Sequence, residues 1–258
     1  NCQGISIINE NLIAFIIVGY NRMNLHNADC LDKLKDLEDD SVDLICCDLP
    51  YGQTGAKWDS KIDLNDLWIQ LKRVRKDTTP IFMFGTLKFG LELIASNSKE
   101  FKYELVWDKT SRSNFLLARK RPMSSHEYVF VFYKKQPFYD LSSHMPERTS
   151  NFIEKSKDSP LFGSVKNIHG GHIQYNPRLP TQIVQFSKKR NKINSTAKPI
   201  DLLKWILKYF SKENDTVLDP TMGSGTTIIA CNQMNRKAIG IEKDKEMYDK
   251  AVEFINNF

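Results

Sequence analysis

The stretch Val217-Leu218-Asp219-Pro220-Thr221-Met222-Gly223-Ser224-Gly225-Thr226-Thr227 sets an apolar run, an acid, a tight turn with two glycines and a helix-forming segment in direct succession. Residues 216–219 read as a strand and 224–235 as a helix, so this is a βα unit, and such units imply a sheet covered by helices. Glycines in the turn let the backbone adopt left-handed conformations and approach a ligand, while the helix start offers unpaired amide donors. No Gly-Lys-Ser/Thr follows, and Ile228 occupies the place of the third glycine in G-x-G-x-x-G, so phosphate binding is disfavoured. Glu242 ends the next strand, 238–242, about where such a unit positions an acid to bond ribose hydroxyls. The two features suggest a nucleoside ligand without demanding a pyrophosphate. A turn that only packs helix on sheet is the bland alternative.

The rest of the chain keeps the same order. Strands are expected near 25–29, 42–48, 80–84, 103–107 and 127–133, and helices near 30–37, 63–75, 87–96, 198–210 and 244–256. The 42–48 run, Val-Asp-Leu-Ile-Cys-Cys-Asp, shows no clear alternation, as expected for a strand covered on both faces. The predicted fold class is therefore α/β, Rossmann-like, with a largely parallel sheet and helices on both faces. Residues 136–193 break the rhythm with several of the ten prolines and the polar His169-Gly170-Gly171-His172. They are assigned to an inserted region between a first half, 23–135, and a second half, 194–258. Residues 1–22 read unlike the rest and are assigned to an N-terminal extension.

Charge narrows the partners. Residues 1–50 carry 3 basic and 9 acidic side chains, net −6, whereas residues 151–200 carry 9 and 2, net +7. A basic excess confined to the middle of a chain with net charge +6 points to a polyanion. The five cysteines include no C-x-x-C, and Cys46 and Cys47 should face opposite sides of one strand, which suits buried free thiols in a cytoplasmic protein. No metal site is expected, since His169 and His172 have no companion ligands. The apolar run at 12–18 is too short to span a bilayer, so no membrane association is expected.

The 42–48 strand ends in Asp48-Leu49-Pro50-Tyr51-Gly52. Taken with the glycine turn, the chain resembles the amino-group DNA methyltransferases, whose catalytic motif is [DNS]-P-P-[YFW] and whose cofactor loop is D-P-F-x-G-x-G. Catalytic motif first, basic region next and cofactor loop last is similar to the β class of that family. Asn27-Ala28-Asp29-Cys30 resembles its G-D-C segment, and Asn194-Ser195-Thr196-Ala197-Lys198-Pro199 its H-P-T-Q-K-P segment; Trp107-Asp108-Lys109 and Ser125-His126-Glu127 are also similar. Leu49 replaces the first proline of the catalytic motif, at a position that contributes its backbone carbonyl. Thr221 replaces the phenylalanine of the loop, which bears on an apolar contact to the methionine part of the cofactor.

The resemblance implies the class I methyltransferase fold in permuted order, with 136–193 as the target-recognition region. It also implies transfer of a methyl group from S-adenosylmethionine to adenine N6, or alternatively cytosine N4, of a base flipped from double-stranded DNA. Catalysis would fall to Asp48, Leu49, Pro50 and Tyr51. The cofactor would be held by Asp29, Cys30, Thr196, Lys198, Asp219, Thr221, Gly223, Ser224, Gly225, Thr226 and Glu242. Phosphate contacts are expected from Lys109, Arg112, Arg119, Lys120, Arg121, Lys188, Lys189 and Arg190. A homodimer and a companion restriction endonuclease are implied by resemblance only. An RNA methyltransferase, an inactive nucleic-acid-binding relative and a nicotinamide oxidoreductase are the other readings.

Overall fold

The computed structural model describes residues 22–52, 60–148, 173–187 and 196–258. Two compact units divide the chain: one contains the residues up to Tyr139 together with Gln182–Phe258, the other is Asp140–Thr181.

The larger unit is built on an eight-stranded sheet. Its strands are β1 (Met23–Asn27), β2 (Leu44–Cys47), β3 (Ile81–Gly85), β4 (Phe101–Ser113), β5 (Ser124–Phe132), and later β8 (Ile183–Gln185), β9 (Thr216–Asp219) and β10 (Lys237–Glu242). The order across the sheet is β1-β10-β9-β2-β3-β5-β4-β8. Every neighbouring pair is parallel except the two made by β5, which runs antiparallel to both β3 and β4. The helices are α1 (Cys30–Lys35), α2 (Leu64–Val74), α3 (Leu87–Ser96), α4 (Ile200–Phe210), α5 (Thr226–Gln233) and α6 (Lys245–Asn256).

Burial on both faces follows from the apolar central strands. All residues of β2 and β3 are buried. Ile45, Cys47, Ile81 and Met83 join one core with Leu34 of α1, Leu67 and Leu71 of α2 and Leu93 of α3. The alternate residues face the other way, where Phe82 meets Phe210 of α4 at 5.0 Å between ring centroids. Each fully buried large side chain of this kind contributes about 1.5–3 kcal/mol. Cys30, Cys46, Cys47 and Cys231 are buried free thiols.

Short polar side chains start the helices where the apolar periodicity begins. Asp63 accepts from the amides of Asn65 and Asp66 at the head of α2, and Asp244 from Met247 at the head of α6. Leu67, Trp68, Leu71 and Val74 then form the buried stripe of α2.

Three features differ from the expectations. The helix after the glycine turn begins at Thr226 rather than 224, because Gly223 and Gly225 hold φ of 51° and 77° and no helix passes through such residues. β4 continues to Ser113, beyond the expected 107, so Lys109 and Arg112 lie on a strand, with an irregular register between Asp108 and Ser113. β8 falls within 136–193 yet pairs with β4 as an edge of the main sheet.

In the smaller unit, β6 (Met145–Arg148) and β7 (Ile173–Asn176) form an antiparallel pair. The His144 ring Nδ1 lies 2.8 Å from the Pro177 carbonyl. Among the described residues no helix is long and apolar enough to cross a membrane, and no group of three metal-ligating side chains occurs.

Candidate active site

The carboxyl ends of β1, β10, β9 and β2 lie side by side, with Asn27 level with Glu242, Gly240 with Asp219, and Ile45 with Leu218. In a parallel sheet this is the edge where a crevice opens. Four carboxylates stand along it: Asp29 after β1, Glu242 at the end of β10, Asp219 at the end of β9 and Asp48 after β2. Unmatched, they would repel one another, and the surroundings deal with each differently.

Asp219 is almost fully buried. Its Oδ1 accepts from the Thr221 amide at 3.1 Å, which fixes the first bend of the glycine turn. Burial pushes its carboxyl up to about 7, against the pull of hydrogen bonds from Thr227 and Thr221. Glu242 bridges two elements: Oε2 accepts from the Gly223 amide at 3.1 Å and Oε1 from the Asp244 amide at 2.8 Å. Burial raises its pKa as well. Asp29 caps α1 through the Leu31 amide and meets Lys243 Nζ at 3.0 Å. Desolvation works against its charge, but the Lys243 ammonium and the backbone donors hold its carboxyl below the usual range.

Asp48 is the most connected of the four. Its Oδ2 accepts from Lys198 Nζ at 2.7 Å and its Oδ1 from the Tyr51 hydroxyl at 2.8 Å, while its backbone carbonyl accepts from Thr221 Oγ1 at 3.1 Å. Lys198 in turn lies 3.5 Å from Glu127 Oε2, and Glu127 Oε1 is 3.2 Å from Lys109 Nζ. The result is an alternating chain, Lys109, Glu127, Lys198, Asp48, that is neutral as a whole. Burial alone would depress the Lys198 ammonium, but Asp48 and Glu127 outweigh it and hold its pKa above the ordinary lysine value. The Lys198 ammonium also sits 5.3 Å from the Phe84 ring centroid. The Tyr51 ring leans on Phe89 at 5.0 Å between centroids.

A cleft of about 360 Å³, counting its open mouth, runs from Asp48 and Lys198 past Asp219 to the glycine turn. Gly225 lets the turn that borders it pack closely on α6. Its φ of 77° strains any L side chain, and a Cβ there would meet Ile255 Cδ1 at 2.6 Å.

Most residues singled out in the sequence gather here. Asp48, Lys198, Asp219, Thr221, Gly223, Ser224 and Thr226 line the cleft. Leu49 is buried and Pro50 and Tyr51 are half-buried beside it, with Asp29 and Glu242 along the same edge. Cys30 lies buried under α1, where burial pushes its thiol up to about 11, and Thr196 is exposed. One placement corrects the expectations. Lys109 is buried and tied to Glu127 and the Ser113 hydroxyl, so its charge is turned inward rather than toward phosphates. Lys198 lines the cleft with its ammonium paired to Asp48 and Glu127. Arg112, Arg119, Lys120 and Arg121 are exposed. Lys188, Lys189, Arg190, His169, His172, Asn194, Ser195 and nearly all of 1–22 lie outside the described residues.

Glu127 was not foreseen as a site residue, and Thr221 was expected to hold the cofactor rather than to bond the Asp48 carbonyl. An acid opening the apolar run Tyr-Val-Phe-Val-Phe was the available sign for Glu127; the Thr221 bond had none, because its partner is a backbone carbonyl 173 positions away.

A family of DNA methylases specific for the N6 and N4 amino groups matches residues 42–253. The chain belongs to this DNA methylase family. Type II methyltransferase M1.MboII of Moraxella bovis is similar to this methylase at 28% identity, over 88% of the chain and 94% of the relative. Type II methyltransferase M.HpaI of Haemophilus parainfluenzae is 26% identical over 89% of the chain and 73% of its own length. Among solved structures, the M1.HpyAVI–SAM complex superposes with a TM-score of 0.61 at 22% identity, covering 90% of this methylase and 99% of that chain. The cytosine-N4-specific PvuII DNA methyltransferase does so with 0.64 at 15% identity, covering 92% and 90%. Both share the fold, a class I methyltransferase sheet with its reversed strand.

Proposed function

We propose that this DNA methyltransferase is site-specific and acts on adenine N6 of a base turned out of duplex DNA. The observation that carries the reading is the placement of Asp48 at the cleft edge, pinned by Lys198 on one oxygen and joined to the glycine turn through Thr221.

S-adenosylmethionine is the methyl donor, and the residues present fit it. Asp29 and Glu242 offer carboxylate oxygens side by side for ribose hydroxyls, and the paired glycines leave room over the turn for a ligand without phosphates. When bound, it supplies an electrophilic methyl group on a sulfonium. The remaining work belongs to the chain. An exocyclic amino group is a poor nucleophile because its lone pair is delocalised into the ring. Asp48 Oδ1 and the Leu49 carbonyl are suited to accept its two hydrogens, which favours the pyramidal form and draws off the developing positive charge. Once the methyl group had passed to nitrogen, its bond to the donor sulfur broken and a neutral thioether left behind, the amino group would release one proton toward Asp48 Oδ1, while the Lys198 ammonium on Oδ2 keeps the carboxylate oriented. Pro50 stiffens the bend that presents the Leu49 carbonyl.

Turning a base out of the stack costs a few kcal/mol. Tyr51, backed by Phe89, offers a ring face that returns roughly 1–3 kcal/mol of stacking. Phosphate contacts are assigned to Arg112, Arg119, Lys120 and Arg121 together with Lys188, Lys189 and Arg190, and sequence reading to the region 136–193, which contains the second compact unit. A homodimer and a companion restriction endonuclease belong to the same proposal.

The test is chemical. Purified protein, S-adenosylmethionine with a labelled methyl group and duplex DNA are incubated, the DNA is digested, and the labelled nucleoside is identified by mass. N6-methyladenine is the expected product. N4-methylcytosine alone would overturn the target base, and preferential labelling of RNA would overturn the polymer. Sequencing host DNA with detection of modified bases then gives the recognition sequence.

A further inference from the structure

The β4–β5 hairpin carries the most exposed apolar cluster among the described residues. Phe115 and Leu116 are 74% and 87% exposed, and Leu117 is 37% exposed. They form a single 3-10 turn entered through Asn114 in a left-handed conformation. The turn is closed by backbone bonds, from Leu117 N to Asn114 O at 2.9 Å and from Lys120 N to Leu117 O at 2.8 Å. The triplet is thus displayed on a hydrogen-bonded turn, with Phe115 and Leu116 turned mostly to solvent. Exposed apolar groups held in this way mark contact surfaces.

Position and charge indicate what they contact. Gly85, the last residue of β3, pairs with Tyr128, so the hairpin arms extend beyond the edge at which the cleft opens. Glu127 is level with the cleft, 3.5 Å from Lys198 Nζ, and Ser124 lies about 10 Å further out at strand rise, with the triplet beyond it. Arg112, Arg119, Lys120 and Arg121 flank the triplet, all exposed, and no acid occurs between Lys109 and His126. Among the described residues none of these four pairs with a carboxylate. A second copy docking here through the same face would bring cation against cation. A duplex offers what both parts require, phosphates for the cations and base faces for the apolar groups.

We infer that Phe115, Leu116 and Leu117 form a wedge that enters the base stack beside the target and holds the duplex open while the base occupies the cleft. This rests on the reading that the substrate is duplex DNA whose target base leaves the stack. The flanking cations would seat the hairpin on the backbone, and the triplet would fill the step that unstacking exposes.

The experiment uses the full chain and a duplex carrying the recognition sequence read from host DNA, with 2-aminopurine next to the target base. Wild-type protein should raise the 2-aminopurine fluorescence on binding. The double variant F115S/L116S, which alters only exposed side chains, should lose most of that rise and lower kcat/KM on the matched duplex by about tenfold or more. On a duplex whose target base faces an abasic site, where the opening is already made, it should come within about threefold of wild type. Equal rates for variant and wild type on the matched duplex would overturn the wedge. So would an equal loss on matched and abasic duplexes, since the triplet would then supply affinity only. Conversion of a dimer to monomer by F115S/L116S in sedimentation would place a second copy on the turn and overturn it as well. Absence of duplex methylation by the wild type is a separate result, and it would remove the reading on which the wedge rests.

Discussion

Lys198 Nζ stands 2.7 Å from Asp48 Oδ2 although 150 positions separate them in the chain. The contact joins the strand end that presents the proposed catalytic carboxylate to the segment that leads into α4. Because Lys198 is buried and also faces Glu127, it is held by charge on two sides. It controls the direction of the Asp48 carboxylate without occupying the oxygen that faces Tyr51.

Replacing Lys198 with methionine should therefore separate chemistry from folding only in part. K198M leaves Asp48 and Glu127 without their shared cation, and breaking a buried pair from one side costs about 3–5 kcal/mol when both charges are dry. Asp48 is partly exposed, so about 2–3 kcal/mol is expected in urea denaturation, with methyl transfer reduced by about 100-fold or more. E127Q in the K198M background should recover part of the stability and little of the rate. Additive stability losses in the double variant would show that Glu127 and Lys198 do not act as a unit.

Tyr51 presents two groups to the site, and they should separate by mutation. Its hydroxyl donates to Asp48 Oδ1, the oxygen proposed to accept from the amino group of the base, while its ring is the proposed stacking surface. Y51F removes the occupant and keeps the ring, so methyl transfer should stay within about threefold of wild type. Y51A removes the ring and should lose about 10–100-fold in kcat/KM, the equivalent of roughly 1–3 kcal/mol of stacking. Similar losses in both variants would assign the role to the hydroxyl instead.

Thr221 shows where reading the sequence reached its limit. The order of strands and helices outside 136–193, the buried β2 and β3, the acid-ended strands and the glycine turn were legible, because each depends on short-range periodicity or on one residue type at one place. Long-range pairings were not. Thr221 registers in sequence as a loop residue standing where the family has phenylalanine, yet in space its hydroxyl ties the glycine turn to the Asp48 carbonyl. Lys109 reads as one more cation in a basic stretch, and the strand that buries it against Glu127 is set by pairing with β5. β8 is three residues long, and it is a strand because β4 offers it an edge.

T221V tests that tie with little change in shape. Loss of one hydroxyl donor should cost about 0.5–1.5 kcal/mol of stability. The more telling effect is on kcat, which should fall about tenfold if the bond holds Asp48 in register with the turn, at a roughly constant Kd for S-adenosylmethionine by calorimetry. A weaker Kd with unchanged kcat would place Thr221 on the cofactor alone.

Asp219 ties stability to pH in the direction opposite to most acids. Its carboxyl is pushed up to about 7 by burial, against an ordinary value of 3.8, so between these values the folded protein keeps a proton that the unfolded chain has lost. The stabilisation from this group is complete below about pH 4 and is lost progressively as pH rises toward 7. The slope is about 1.4 kcal/mol per pH unit, on the order of 4 kcal/mol in all. D219N keeps an oxygen for the Thr221 amide and carries no titrating proton. Measured by denaturation at several pH values, its stability relative to wild type should rise steadily from pH 5 to 7 and level off above about 7.5. A difference independent of pH would mean that Asp219 is ionised in the fold throughout, with the hydrogen bonds from Thr221 and Thr227 outweighing its burial.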